Sequence, residues 1–254
     1  MALLTDGVPN TTESLRLYEM DILGVVNVEM IDLNAKLRLA LEEISFDVLG
    51  VLLDHASSTD PQGTARRMTG VSDVVVTPQL KRWHALHTLE IVYRDAYNNQ
   101  LNDRYQGKWD EYQSLALDAR DQTMRYGIGL VSTPVPRANV PTFSSTAGSN
   151  PSTVYYARVS WVSANGQEGE PSMTTTDQTP DSSLLVVQAP VAPPVASGWN
   201  VYLGLTDRSL TLQNTTPIPI GQFFTLGALV TGVSPGNGQL ADTWVIGGRS
   251  LQRG

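Results

Sequence analysis

The chain contains no cysteine. That excludes disulfides, thiolate catalysis and thiolate zinc sites, and it suits a reducing cytoplasm. No apolar run approaches the roughly 18 uninterrupted residues that a membrane-spanning helix needs. The N-terminus, MALLTDGVPNTTE, has neither the basic start nor the long apolar segment of a secretory signal. Basic residues are scarce: 17 Lys+Arg stand against 25 Asp+Glu, a net charge of −8. Such a surface repels phosphate and disfavours sequence-specific nucleic-acid binding. It does not disfavour a protein that surrounds DNA without gripping it, because an acidic wall lets a polyanion slide.

What is present divides into two halves. At 254 residues and 41% hydrophobic, the chain can bury one large core or two ordinary ones. Residues 1–137 hold 13 Lys+Arg and 19 Asp+Glu, a net of −6; residues 138–254 hold 4 and 6, a net of −2. The later part is rich in Thr, Ser, Val, Pro and Gly. STPVPRANVPTFSSTAGSNPS lies between them and reads as a linker, placed at 131–150. The expected organisation is a helical domain over 1–130, the linker, an all-β sandwich over 151–238, and a tail over 239–254. The fold class is α + β in separate domains, with about four helices in the first.

Hydrophobic spacing places those helices. One is expected from Thr12 to Met30, with Leu15, Tyr18, Ile22, Val25 and Val26 facing inward; Gly24 weakens it by up to about 1 kcal/mol relative to alanine. Asp32 is a good N-cap for a second, whose stripe is Leu33, Leu37, Leu41, Ile44, Val48 and Leu52. Thr77 caps a third, with Pro78 at its first position, where the missing N–H costs nothing. Its stripe is Leu86, Leu89, Tyr93, Tyr97, Leu101 and Tyr105, and Gly107 is expected to break it. A fourth carries Trp109, Tyr112, Ala116, Ala119, Thr123 and Tyr126, a spacing close to a coiled-coil seam, and Gly127 supplies a left-handed C-cap. The gap of about 20 residues before Thr77 is long for a compact bundle, and loops of that length are usually functional or disordered.

The second half changes period. Tyr155, Ala157, Val159 and Trp161 alternate with Val154, Tyr156, Arg158 and Ser160, as in a strand. Asn165-Gly166 follows as a hairpin turn. SSLLVVQA, GWNVYLGL, LTLQN and QFFTLG read as further strands of a small sandwich.

Catalytic chemistry is sparse. His84, His87 and Glu90 share one helix face and offer an N,N,O metal set, but no fourth ligand is evident nearby. Hydrogen-bonded imidazoles on a helix flank are the plainer reading, so no metal and no cofactor are expected. Serines are plentiful, yet there is no G-x-S-x-G elbow, P-loop or G-x-G-x-x-G. The pairs Asp118/Asp121 and Asp103/Asp110 read as solvated helix faces rather than acid–base pairs. Arg66 and Arg67, in the long loop, are either phosphate or acidic-partner contacts or a solvated pair. The aromatics serve a core, a protein interface, or both.

The stretches IDLNAKLRLALEEI and SDVVVTPQLKRWHALHTLEIVYRDAYNNQLNDRYQGKWDEY resemble the head–tail connector adaptors of tailed bacteriophages, over residues 12–130. Those are helical proteins that form a ring, usually of about twelve copies, beneath the portal. YYARVSWVSANGQEGEPS and GWNVYLGL look like a fibronectin type III or immunoglobulin-like module. The resemblance implies a non-enzymatic virion protein at the neck, assembled in the host cytoplasm. Its partners would be itself, the portal, a tail or neck protein below, and genome DNA passing through without sequence-specific contact. It would have no membrane partner. The expected subunit or portal contacts are Arg66, Arg67, Trp109, Tyr112, Tyr126, Trp244, Val245, Ile246 and Arg249. The apolar Trp244–Val245–Ile246 run either docks on a neighbour or completes the sandwich. Another neck or tail-completion protein is the nearest alternative. A secreted carbohydrate-binding protein with a fibronectin-like module is a more distant one.

Overall fold

A computed structural model describes residues 1–59, 69–100 and 103–246, with side chains of 56–59 and 100 left aside. Helices occupy the N-terminal half and antiparallel sheets the C-terminal half. The helices are α1 (Thr12–Leu15), α2 (Ile22–Val28), α3 (Leu33–Thr59), α4 (Pro78–Gln100) and α5 (Gln106–Tyr126). The strands are β1 (Ile128–Leu130), β2 (Thr142–Ala147), β3 (Thr153–Ser163), β4 (Thr175–Thr179), β5 (Ser183–Gln188), β6 (Ala196–Gly204), β7 (Thr211–Leu212), β8 (Ile218–Pro219), β9 (Phe223–Thr225) and β10 (Thr243–Val245). The chain divides into two compact units: 7–132 with 241–254, and 1–6 with 133–240.

In the helical unit, α4 packs against α3, α5 and α2. The caps form as the sequence dictates. Asp32 accepts from the Ala35 amide at 3.1 Å, and Thr77 from the Leu80 amide at 3.3 Å. Leu33, Leu37, Ile44, Val48 and Leu52 of α3 are buried, and so are Leu86, Leu89 and Tyr93 of α4.

Two boundaries differ from expectation. The single helix over 12–30 is divided into α1 and α2, and Tyr18 is exposed rather than inward. Around the break the Tyr18 and Glu19 amides share the Leu15 carbonyl, each at 2.9 Å, and the Tyr112 hydroxyl donates to the Glu19 carboxylate at 2.9 Å. The other shift is at the third helix. Gly107 does not end it, because Gly107 sits in the first turn of α5, where Tyr105 is the N-cap. Leu101 lies outside the described residues.

Gly127 ends α5 with φ +96° and ψ 159°, its amide bonded to the Thr123 carbonyl. That turn feeds directly into β1, which pairs with β10 in the register Ile128↔Val245, Gly129↔Trp244 and Leu130↔Thr243. On its other edge Val75 donates to the Gly129 carbonyl at 3.0 Å. Asp242 clasps the junction, accepting from the Ser132 amide and hydroxyl at 2.9 and 2.8 Å. The segment expected to dock on a neighbour or to complete the sandwich therefore belongs to the helical unit. The strand partner lies far back in the chain, so no local pattern announces it.

The β unit has a three-stranded sheet, β2-β5-β9, and a five-stranded sheet, β4-β3-β6-β7 with β8 also on β6. One core takes side chains from both: Tyr155, Val159 and Trp161 of β3, Leu185 and Val187 of β5, and Trp199, Val201 and Leu203 of β6. Burying each large apolar side chain contributes roughly 1.5–3 kcal/mol. The other face of β3 is not all exposed. Ser160 is buried and shares the Glu168 carboxylate with the Tyr202 hydroxyl, 2.6 Å away. Gly166, at φ +75°, makes the expected turn after β3. The stretch 131–150, expected as a linker, carries β2, which pairs along its length with β5. Residues 1–6 join this unit, where the Asp6 carboxylate accepts from the Arg137 amide at 2.9 Å.

Candidate interaction surfaces

An aromatic cluster joins α4 to α5. The Tyr93 and Tyr112 rings stack at 5.4 Å and 7°, Tyr105 tilts against Tyr93 at 6.1 Å, and Tyr97 stacks on Trp109 at 5.5 Å. Lys108 sits one turn before Tyr112 and reaches Glu19 at 2.9 Å. Burial pushes the Glu19 carboxyl up, but hydrogen bonds from Lys108 and Tyr112 and the lysine charge outweigh it, holding the group below the usual carboxylate range. Burial, then the adjacent Glu19, raise the Tyr112 hydroxyl above the ordinary tyrosine value. Tyr112 is thus a core residue, 3% exposed, and not the interface residue expected from its spacing. Trp109 is half-buried, and Tyr126 is exposed.

The two histidines one turn apart on α4 do opposite jobs. His84 is fully buried. Its Nε2–H donates to the Leu37 carbonyl at 3.0 Å, and Nδ1 accepts from the Asn10 amide at 3.0 Å. Burial lowers its pKa to about 4, overriding the carbonyl contact that raises it. His87 lies 2.6 Å from the Glu43 carboxylate through Nε2 and 2.8 Å from that of Glu90 through Nδ1. Carboxylates only accept, so both ring nitrogens must donate and the ring is an imidazolium. Burial lowers its pKa, but Glu90 and Glu43 together raise it above the ordinary value. The two imidazoles of the possible N,N,O set have separate partners: His84 meets α3 backbone and His87 two carboxylates. An imidazolium so held has no lone pair for a metal or a proton.

His87 opens onto a cleft of about 340 Å³ in the helical unit, lined by Ile44, Trp83, Glu90 and Leu117 and edged by an Asp47–Arg120 ion pair at 2.8 Å. Glu43, Asp47 and Arg120 carried no signal in the sequence, since single charges on a helix face look solvated. A second surface feature is apolar. Leu17 (87%), Met20 (82%), Val28 (63%) and Met30 (93%) are exposed within residues 17–30, and Met30 sits at φ +54°. Isolated exposed leucines are ordinary, and four large apolar side chains exposed in so short a segment make it a candidate interaction surface.

Of the remaining expected contacts, Trp244 and Ile246 are half and largely exposed, whereas Val245 is buried against β1. Arg66, Arg67 and Arg249 lie outside the described residues. Asp103, Asp110, Asp118 and Asp121 are exposed on or beside α5. No helix among the described residues is long and apolar enough to cross a membrane. No protein-family model matches the sequence, and no curated protein matches it.

Proposed function

We propose that this chain is a structural protein of a tailed-phage virion: a head–tail connector adaptor that forms a ring of about twelve copies beneath the portal. It links head to tail around the DNA channel and carries out no catalysis. The observation that carries the reading is the exposure of Leu17, Met20, Val28 and Met30 on the helical unit, apolar side chains that a protein partner would cover. In a closed ring each subunit presents two different complementary faces. The apolar segment supplies one. The end of α5 and β10, with exposed Tyr126, Trp244 and Ile246, supplies the other. The acidic charge of the helical half suits a wall past which DNA slides, in keeping with the resemblance over residues 12–130.

The β unit reads as a fibronectin type III or immunoglobulin-like sandwich displayed on that ring. Its two antiparallel sheets share a core around Trp161 and Trp199, as such modules do. Negative-stain microscopy of the purified protein, alone and mixed with portal rings, tests the reading. Rings of about twelve subunits stacked on the portal are expected. Persistent monomers that leave the portal bare would overturn it.

A further inference from the structure

The β unit has a cleft of about 410 Å³ that the proposed connector role does not use. It opens where the first residue of β2, the last residue of β5, the loop after β5 and the turn between β8 and β9 come together. A ligand-sized cleft becomes a site when a few polar groups converge on it. Here they do. Thr142, Gln188 and Gln222 line it with exposed side chains. Among the described residues, none of these three side chains donates or accepts a hydrogen bond within the chain.

The rest of the lining is mostly apolar. Trp161 and Trp199 line the cleft, and the Trp199 indole N–H is buried without an acceptor. Val191, 94% exposed, forms an apolar lip. No charged side chain lines the cleft.

These features select the ligand. Without a counter-charge, an anionic or cationic ligand would lose its hydration unpaid. Amide side chains and a threonine hydroxyl each donate and accept, and so do sugar hydroxyls. A peptide binding as an added strand needs free backbone partners. Gln188, on the central strand, is paired on both sides, with Thr142 and Phe223, so its backbone has no partner to give; β2 and β9 are outer strands, and peptide addition there is one outcome of the test below. We infer that the Thr142–Gln188–Gln222 cleft over Trp199 is a binding site for a neutral saccharide. Its hydroxyls take the two amides and the threonine, and its carbon face rests against the apolar lining of Val191 and Trp161. The β unit would then tether the particle to a neutral surface glycan, a role separate from ring assembly.

The test uses the full-length protein on an array of neutral oligosaccharides, followed by titration of the best binder with maltoheptaose and chitotetraose as fixed probes. Gln188→Ala and Gln222→Ala are made singly and together; both side chains are exposed, so the fold should survive, and circular dichroism checks it. The inference expects saturable binding of a neutral glycan, weakened about three- to tenfold by each lost side chain, as for a neutral hydrogen bond. Absence of binding to every neutral glycan overturns it. So does binding unchanged in the double variant, or variant-sensitive binding of a proline-rich peptide instead. None of these outcomes depends on whether the protein forms rings.

Discussion

Ile128 stands opposite Val245 in an antiparallel pair, so the chain leaves the helical unit and returns to it on neighbouring strands. Everything from 133 to 240 belongs to the β unit. The β unit is therefore an insertion in the helical unit, not an appendage to its end. Replacing 133–240 by a short Gly/Ser linker, with residues 1–6 removed, should leave a cooperatively folded helical protein by circular dichroism and thermal melting. A chain simply truncated at Arg137 should melt lower than that excised form, because it loses β10 and leaves β1 unpaired on one edge. Equal melting temperatures for the two would contradict the insertion.

Gly127 should be intolerant of a side chain. Its φ of +96° is costly for any L-residue, and an added Cβ would lie 3.1 Å from the Val245 carbonyl oxygen. Gly127→Ala is expected to destabilise the helical unit by more than about 1 kcal/mol. Denaturant unfolding measures it, and a neutral result would mean that β10 does not sit where described.

Tyr112→Phe removes only the hydroxyl that meets Glu19. Loss of a hydrogen bond to a carboxylate should cost about 1.5–3 kcal/mol. Lys108 keeps its contact with Glu19, which favours the lower end. A variant as stable as the parent would show that this hydrogen bond does not hold the fold.

The two histidines give stability opposite pH dependences. His84 has a folded pKa lowered to about 4. Its contribution is complete above the unfolded value of about 6.5 and is lost as pH falls toward 4. The folded pKa of His87 is raised. Its contribution is complete below about 6.5 and is lost as pH rises through the folded value. Proton NMR titration should show one imidazole that resists protonation well below pH 6 and one that stays protonated above pH 6.5. Substituting His87 by Gln should flatten the loss on the alkaline side. Two histidines titrating together near 6.5 would contradict both assignments.

Much of this architecture can be read locally. Leu37, Ile44 and Val48 fall two turns and one turn apart, and the Thr77-Pro78 start and the Tyr155–Trp161 alternation follow from backbone geometry and burial alone. What the sequence hides is long-range. Nothing near Thr243 says that its partner is Leu130, and nothing near Tyr18 says that Tyr112 will meet Glu19. The same holds for the surfaces. Tyr112 and Trp109 share a stripe, but only packing tells core from rim. Gln188 and Gln222 look like ordinary polar residues until the sheets bring them over Trp199.

The most direct test of the connector reading is the mass of the particle in solution. Mass photometry of the purified protein, alone and with portal rings, should show assemblies many times the 27.6 kDa subunit. Leu17→Asp with Met20→Asp should abolish them, while the melting temperature stays unchanged because both side chains are exposed. A wild-type protein that remains at the subunit mass in both conditions would contradict the account, as would rings that survive the double substitution.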